Sequence, residues 1–223
     1  LLVSTVKDWP TISRWYWNLV KPHLAVTPQI KAQVAACCAD AEDDQARIEA
    51  LFQFVSQQIR YMGITVEAEA PGYEPHDVAE TFDARHGVCR DKAALLVAML
   101  REAGFDAFPA LINVGPLKDE EVPQPYFNHA IVAVRMPDGA YQLMDPTDEN
   151  TRQLLPAYLN HRSYLVATPD GDSLRVSPVT PSADNMLYIR TAGELQNNDS
   201  LRLQTELRFE GINDNAYRGW FAS

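Results

Sequence analysis

The 223-residue chain has no long hydrophobic run, little positive charge and few cysteines. No apolar stretch approaches the roughly 20 residues that a membrane-spanning helix needs. Lys and Arg number 19 against 30 Asp and Glu, which gives a formal net charge of −11. An acidic surface repels phosphate backbones, which argues against nucleic acid as a partner. With 46% hydrophobic and 22% charged residues, the composition is that of an ordinary globular domain rather than of a disordered chain.

The cysteine and histidine spacings exclude the common disulfide and metal patterns. Three cysteines cannot form a complete disulfide framework. Cys37 and Cys38 are adjacent in an alanine-rich stretch, which predicts a buried structural pair. The chain lacks the C-x-x-C and H-x-x-x-H spacings of zinc sites and the Asp-x-Asp-x-Asp-Gly loop of calcium sites. The sequence therefore predicts neither a metal nor another cofactor.

Hydrophobic periodicity predicts an α+β fold with helices first and strands later. Pro109 lies inside a predicted strand and indicates a sheet edge or a bulge. The chain is predicted to stay β-rich to its end, with a turn at residues 197–199. The predicted helices cover a short aromatic segment around residues 9–19 and residues 44–59, 77–84 and 89–103, and the predicted strands cover residues 105–112, 127–136 and 140–145.

Two domains are expected. Residues 1–184 are predicted to form the core domain with an N-terminal helical segment. Residues 185–223 are predicted to be a β-strand tail, the start of a second β domain. The chain begins at Leu1 without a Met or a signal peptide, so we expect flanking domains in a longer parent protein.

Cys89 stands at the start of the predicted helix 89–103, two residues after Gly87. At a helix N-terminus a sulfur faces unpaired backbone N–H groups and the positive end of the helix dipole, which both stabilise a thiolate. Gly87 can let the chain turn sharply into the helix. The Cys89 amide can also point at a developing oxyanion. A structural cysteine needs none of these features, so Cys89 is a candidate nucleophile.

A thiolate nucleophile works best beside a histidine, and His129 is the best placed of the five histidines. The Pro137-Asp138-Gly139 segment fits a three-residue hairpin loop with Gly in the left-handed conformation. That loop pairs Met136 with Ala140 and makes His129 and Asp145 diagonal neighbours on one sheet face, about 7–8 Å apart at Cα. Asp145 can then bind one imidazole nitrogen and leave the other for the thiol.

Four ordered stretches resemble the transglutaminase-like core: GVCRDKA from Gly87, LREAGFDA from Leu100, NHA from Asn128 and LMDPT from Leu143. The likeness runs from about residue 44 to about residue 147 and is strongest to core domains of multidomain bacterial proteins. It implies a papain-like α+β fold, in which a nucleophile helix packs on an antiparallel β-sheet, with a β-rich C-terminal extension in this chain.

The resemblance also implies roles for the candidate residues. Cys89 is the implied nucleophile, His129 the acid and base, and Asp145 the orienting carboxylate. Tyr61 and Gln58 are candidates for the second oxyanion donor, with Tyr61 preferred. The implied chemistry is thiol-dependent acyl transfer or hydrolysis on peptide or isopeptide bonds of a protein or peptide substrate, as in a cysteine peptidase or a transglutaminase.

Three questions stay open at this point. The domain can be a catalytically silent interaction module of a bacterial cell-envelope protein, with the triad retained for stability. The extracytoplasmic location that this implies rests on the resemblance alone. Asp91 and Lys92 can either make structural contacts near the start of the helix or form a solvated helix face.

Overall fold

The computed structural model describes residues 3–63, 72–197 and 200–221. The predicted irregular segment 60–75 therefore has its central part, residues 64–71, outside the described residues. The helices are α1 (Trp9–Val20), α2 (Pro28–Cys38), α3 (Asp44–Gln58), α4 (Val78–Ala84), α5 (Cys89–Glu102) and α6 (Ile212–Phe221). The strands are β1 (Arg60–Tyr61), β2 (His86–Gly87), β3 (Ala107–Ile112), β4 (His129–Arg135), β5 (Tyr141–Met144), β6 (Ser163–Val166), β7 (Arg175–Val176), β8 (Leu187–Leu195) and β9 (Leu201–Phe209).

The core is a five-stranded antiparallel sheet covered by helix α5. The strand order is β5-β4-β3-β6-β7. Helix α5 contacts β3 and β4 as well as α2, α3 and α4, so it lies between the sheet and a layer of helices. Every residue of α5 from Asp91 to Leu100 is buried. A helix enclosed on all sides holds its first residue, Cys89, in a fixed place relative to the sheet.

The β4–β5 hairpin has the register predicted from its loop. Val132 pairs with Met144 and Arg135 with Tyr141, and the Met136 N–H donates to the Ala140 carbonyl at 2.8 Å. Gly139 adopts a φ of 83°, the left-handed conformation that the loop type requires. The predicted register is therefore confirmed, and the chain leaves β5 directly before Asp145.

The interpretation of Pro109 as an edge or bulge residue was wrong. Pro109 lies in β3, the middle strand of the sheet, and pairs with Val132 of β4. Its carbonyl accepts a hydrogen bond from the Ala167 N–H at 2.9 Å, one residue beyond the end of β6. In an antiparallel ladder the N–H and C=O of one residue face the same neighbour. An N–H on Pro109 would face Ala167, which lies beyond the end of β6. The absence of this N–H therefore removes no hydrogen bond between β3 and β6.

A short parallel pair brings Tyr61 to the start of α5. Arg60 pairs with His86, and Tyr61 pairs with Gly87. The Met62 N–H donates to the Gly87 carbonyl at 3.1 Å, which extends the pairing by one bond. Tyr61 is consequently fixed beside the residue that lies two positions before Cys89.

The C-terminal segment is a β8–β9 hairpin followed by a helix. Leu187 pairs with Phe209 and Leu195 with Leu201, while residues 198 and 199 of the predicted turn lie outside the described residues. The prediction of β structure to the end was wrong, because α6 occupies Ile212–Phe221. Stacking of Phe209 on Tyr217, with 3.9 Å between ring centroids, attaches α6 to β9.

Among the described residues, no helix combines the length and the apolar character that crossing a membrane requires.

Candidate active site

Helix α5 begins at Cys89 because the residue before it, Val88, has an extended backbone conformation. The Asp91 carboxylate accepts a hydrogen bond from the Val88 N–H at 3.0 Å, which satisfies one of the N–H groups at the helix start. Gly87 packs against this carboxylate so closely that an added Cβ would lie 2.8 Å from the Cβ of Asp91. Glycine is thus needed at position 87 for space, because its close approach to Asp91 leaves no room for a side chain.

The Cys89 thiol is half-buried and surrounded by donors. It hydrogen-bonds to the side chain of His129 and to the backbone N–H groups of Ala130 and Arg90. Burial alone would raise the pKa of the thiol, but the His129 interaction and the two backbone donors together lower it below its ordinary value. The Arg90 N–H belongs to the first turn of α5, so the start of the helix helps to lower the pKa of Cys89, as the sequence suggests.

His129 lies between Cys89 and Asp145. Its Nε2 is 2.9 Å from Oδ2 of Asp145, which leaves Nδ1 for the thiol. The His129 side chain is 10% exposed and the Asp145 side chain is fully buried. The structure therefore brings the three residues together from α5, from the start of β4 and from the segment after β5.

The Asp145 carboxylate is bound on both oxygens. Besides His129, the Tyr158 hydroxyl donates to Oδ2 at 2.5 Å. The Thr147 hydroxyl and N–H donate to Oδ1 at 2.7 and 3.1 Å. Burial would raise the pKa of Asp145, but His129, Tyr158 and Thr147 outweigh it and lower that pKa. The carboxylate is held ionised and in one orientation, as an orienting group must be.

Sequence reasoning missed Tyr158. It lies in a 3-10 turn at Ala157–Leu159, 13 residues from Asp145, in a segment without a periodic pattern. Burial, and after it the charge of the neighbouring Asp145, raise the pKa of the phenol, so Tyr158 stays a hydrogen-bond donor. No sequence signal known to us would have selected it.

The electrostatics favour a thiolate–imidazolium pair. Burial lowers the pKa of His129, but its hydrogen bonds to Asp145 and Cys89 outweigh burial and raise that pKa to about 10. The pKa of Cys89 moves in the opposite direction. A proton on His129 and a negative charge on Cys89 thus stabilise each other, which is the ground state that a cysteine nucleophile needs.

The two candidate oxyanion donors differ in position. Partial burial raises the pKa of the Tyr61 phenol, and the charges of Cys89 and Asp145 raise it further. Its backbone N–H donates to the Glu149 carboxylate at 2.9 Å. Gln58 is the last residue of α3, and it is exposed. Tyr61 pairs with Gly87, two residues before Cys89, whereas Gln58 has no such pairing and is exposed.

Asp91 and Lys92 are buried, so the solvated-face alternative was wrong. Asp91 also accepts a hydrogen bond from the His76 N–H at 3.0 Å, which ties segment 72–77 to α5. The Lys92 ammonium donates to the carbonyl of Ser56 at 3.1 Å and to that of Ile59. Both side chains make internal contacts because α5 has no solvent-facing side at this turn.

A pocket of about 520 Å³ has none of the three residues Cys89, His129 and Asp145 in its wall. Its wall includes Glu149, Arg152 and Tyr217 of α6, and Glu149 is the residue that holds the Tyr61 N–H. Within the described ranges, no group of three or more His, Cys, Asp or Glu side chains could hold a metal ion.

The fold and the placement of Cys89, His129 and Asp145 define a papain-like α+β domain. A family model of the transglutaminase-like superfamily matches residues 31–146, just over half of the chain. This protein belongs to the transglutaminase-like superfamily. No curated protein matches the chain significantly.

Three solved structures are similar to this chain at low sequence identity, and the first of them shares its fold. A candidate protease from Parabacteroides distasonis is 16% identical, with a TM-score of 0.54, over 76% of this chain and 32% of that one. A candidate cysteine protease from Cytophaga hutchinsonii is 15% identical, with a TM-score of 0.44, over 85% and 55% of the two chains. The periplasmic domain of TgpA from Pseudomonas aeruginosa is 23% identical, with a TM-score of 0.39, over 58% and 49%. The chain thus spans about a third to a half of these structures.

Proposed function

We propose that this domain carries out thiol-dependent acyl chemistry on peptide or isopeptide amide bonds. Cys89 is the nucleophile, His129 the general acid and base, and Asp145 the group that orients His129. The single observation that carries this proposal is the position of His129, whose Nε2 is 2.9 Å from buried Asp145 while its other side hydrogen-bonds to the Cys89 thiol.

The proposed reaction has two steps. The Cys89 thiolate attacks the amide carbonyl, and a C–S bond forms as the carbonyl oxygen becomes an oxyanion. The C–N bond then breaks, and the imidazolium of His129 gives its proton to the leaving amine. A thioester on Cys89 remains. Water or a second amine gives a proton to neutral His129 and attacks the thioester. The C–S bond then breaks, which releases the acid or the new amide and restores the Cys89 thiolate and the His129 imidazolium.

The Cys89 N–H and the Tyr61 hydroxyl are proposed to stabilise the oxyanion. The raised pKa of Tyr61 keeps the phenol protonated, so it can donate when negative charge develops. Tyr61 is preferred to Gln58 because Tyr61 pairs with Gly87 beside the start of α5 and the charge of Cys89 contributes to its raised pKa. Gln58 is instead exposed at the end of α3.

Trapping of the thioester tests this proposal. Incubation with p-nitrophenyl acetate is expected to place one acetyl group on the Cys89 peptide, as identified by mass spectrometry. Cys37 and Cys38 act as internal controls, and Cys89→Ala should abolish the labelling. Absence of acetyl-Cys89 in the folded wild-type protein would contradict the proposal and favour a silent module.

The acyl acceptor is a separate question. Hydrolysis is preferred to cross-linking because the sequence marks no lysine-binding site. A fluorescent primary amine, added with a glutamine-containing peptide, is expected to be incorporated more slowly than the peptide is hydrolysed. Faster amine incorporation would assign the domain to acyl transfer instead.

The silent interaction module is the second candidate. The observation that favours it is the outward apolar face of the β8–β9 hairpin, where Ile189, Leu195 and Leu203 are 59%, 76% and 58% exposed. In that case Cys89→Ala would leave the function of the parent protein intact. The start of a second domain near residue 185 and the extracytoplasmic location stay predictions.

A further inference from the structure

We propose, on the basis of the acyl chemistry above, that Lys92 is a positioning residue: its buried ammonium holds the end of α3 so that Tyr61 stands beside Cys89. Lys92 lies one helical turn after Cys89 on α5. It touches neither the thiol nor His129 in any described contact. It is expected to act only through Tyr61.

The Lys92 ammonium binds the C-terminal end of α3. Lys92 is fully buried, and its Nζ donates to the carbonyl of Ser56 at 3.1 Å and to that of Ile59. Helix α3 ends at Gln58, so these carbonyls are among those that a helix leaves without an internal partner. A positive charge there also faces the negative end of the helix dipole.

This charge is retained although burial disfavours it. Within the described residues, no carboxylate lies in ion-pair distance of Lys92. The charges of Glu149, Asp145 and Asp148 favour its protonated form, but burial outweighs them and lowers the pKa of Lys92 to about 8. An apolar side chain of similar length would fill this space without the desolvation cost. The ammonium therefore points to a role that an apolar residue cannot take.

That role follows from the next residues of the chain. Ile59, whose carbonyl Lys92 binds, directly precedes β1. The Arg60 N–H then donates to the Arg85 carbonyl at 2.8 Å, and the Met62 N–H donates to that of Gly87. Tyr61 thus follows Ile59, whose carbonyl Lys92 binds, by only two residues. Loss of the ammonium is expected to shift the phenol relative to Cys89.

Two reactions of the same thiol separate positioning from stability. Acylation by p-nitrophenyl acetate passes through an oxyanion, and Tyr61 is proposed to stabilise it. Alkylation by iodoacetamide displaces iodide at a saturated carbon and forms no oxyanion. A displaced Tyr61 should therefore slow acylation and spare alkylation. A general loosening of the fold would change both rates or neither.

The variant to test is Lys92→Met, with Arg47→Met as its matched control. Arg47 lies near the start of α3 and donates to the carbonyl of Ala103, the residue after α5, at 2.6 Å. It therefore holds the same pair of helices at the opposite end. Lys92→Met is expected to slow acylation of Cys89 about tenfold or more and to leave alkylation within about twofold. Arg47→Met should leave both rates close to wild type.

A double-mutant cycle with Tyr61→Phe tests whether Lys92 acts through Tyr61. Lys92→Met should slow acylation no further once Tyr61 has lost its hydroxyl. Independent, multiplicative losses would overturn the proposal, as would an equal loss of alkylation or a Lys92→Met variant that acylates like Arg47→Met.

Two further outcomes keep the test decisive. If Lys92→Met does not fold by circular dichroism, Lys92→Leu, which also lacks the N–H donors and the charge, takes its place in the same cycle with the same criteria. If wild-type Cys89 is not acylated at all, the proposed function itself has failed. Acylation of wild type with no specific loss in the Lys92 variant contradicts only the positioning role.

Discussion

Cys89 begins helix α5, whereas Cys37 and Cys38 end helix α2. The positive end of a helix dipole favours a thiolate and the negative end disfavours it. The difference continues in the neighbours: His129 and two backbone N–H groups lower the pKa of Cys89. Burial instead raises the pKa of Cys37, although the Gln33 amide donates to its sulfur. Cysteine thus has opposite acidity at the start of one helix and at the end of the other.

The largest effect is expected from His129→Ala. It removes the imidazole that lowers the pKa of Cys89 and that we propose as proton donor to the leaving amine. Turnover of a peptide or ester substrate should fall by at least about 10³-fold. Steady-state kinetics on the folded variant would measure this, and a loss below about tenfold would show that His129 is not the general base.

Asp145→Asn is expected to have the next largest effect. The amide keeps the shape of the carboxylate but cannot stabilise the imidazolium or fix the same tautomer. Activity should fall by about 10²- to 10⁴-fold, with a smaller effect on substrate binding. A matched change at Tyr158, to Phe, removes only one donor to Asp145 and should cost far less. Equal losses in the two variants would contradict the orienting role of Asp145.

The same variant should change how stability depends on pH. The pKa of Asp145 is lowered in the folded protein, so its ionised form contributes stability that is present above about pH 4 and lost as the pH falls through the lowered value. Thermal unfolding of wild type at decreasing pH should therefore lose a contribution that Asp145→Asn lacks. Parallel curves for the two proteins would show that Asp145 is not held ionised.

Gly87→Ala is expected to have a moderate effect. The added Cβ would lie 2.8 Å from Asp91 Cβ and 3.3 Å from Thr81 Cγ2, so the start of α5 must shift. Such overpacking typically costs about 1–3 kcal/mol, measurable by urea unfolding. Alkylation of Cys89 should slow while that of Cys37 stays unchanged. A variant with wild-type stability would show that the turn relaxes easily.

The smallest effect is expected from replacing Cys37 and Cys38 by Ser. These residues end α2, away from His129, and take no part in the proposed reaction. Turnover should stay within about twofold of wild type. A loss comparable to that of His129→Ala would mean that the reactive thiol has been wrongly assigned.

The parts of the site that the sequence predicted depend on local rules. The left-handed Gly139 fixes the hairpin register, and the register fixes His129 near Asp145. Gly87 and the apolar face of α5 likewise locate the helix start. Each of these signals acts on backbone only a few residues away. The local structure that they predict could therefore be read from the sequence without knowledge of the tertiary contacts.

The rest depends on long-range contacts. Lys92 is buried because α3 offers carbonyls 33 and 36 residues away, and a helical pattern alone assigns a lysine to solvent. Pro109 fits a central strand only because β6 ends beside it. Helix α6 follows a hairpin whose strands are exposed along nearly their whole length. Without a buried face, the sequence there has no hydrophobic pattern that marks where the strands end and the helix begins.

The most direct measurement is the rate of iodoacetamide alkylation at Cys89 and Cys37 as a function of pH, in a Cys38→Ser variant that leaves each thiol on its own peptide. Cys89 is expected to react readily at about pH 6, where an ordinary thiol is almost wholly protonated. Cys37 should require alkaline pH, and His129→Ala should remove the advantage of Cys89. Coincident profiles for the two thiols, or a Cys89 that reacts only at alkaline pH, would contradict an activated nucleophile at the start of α5.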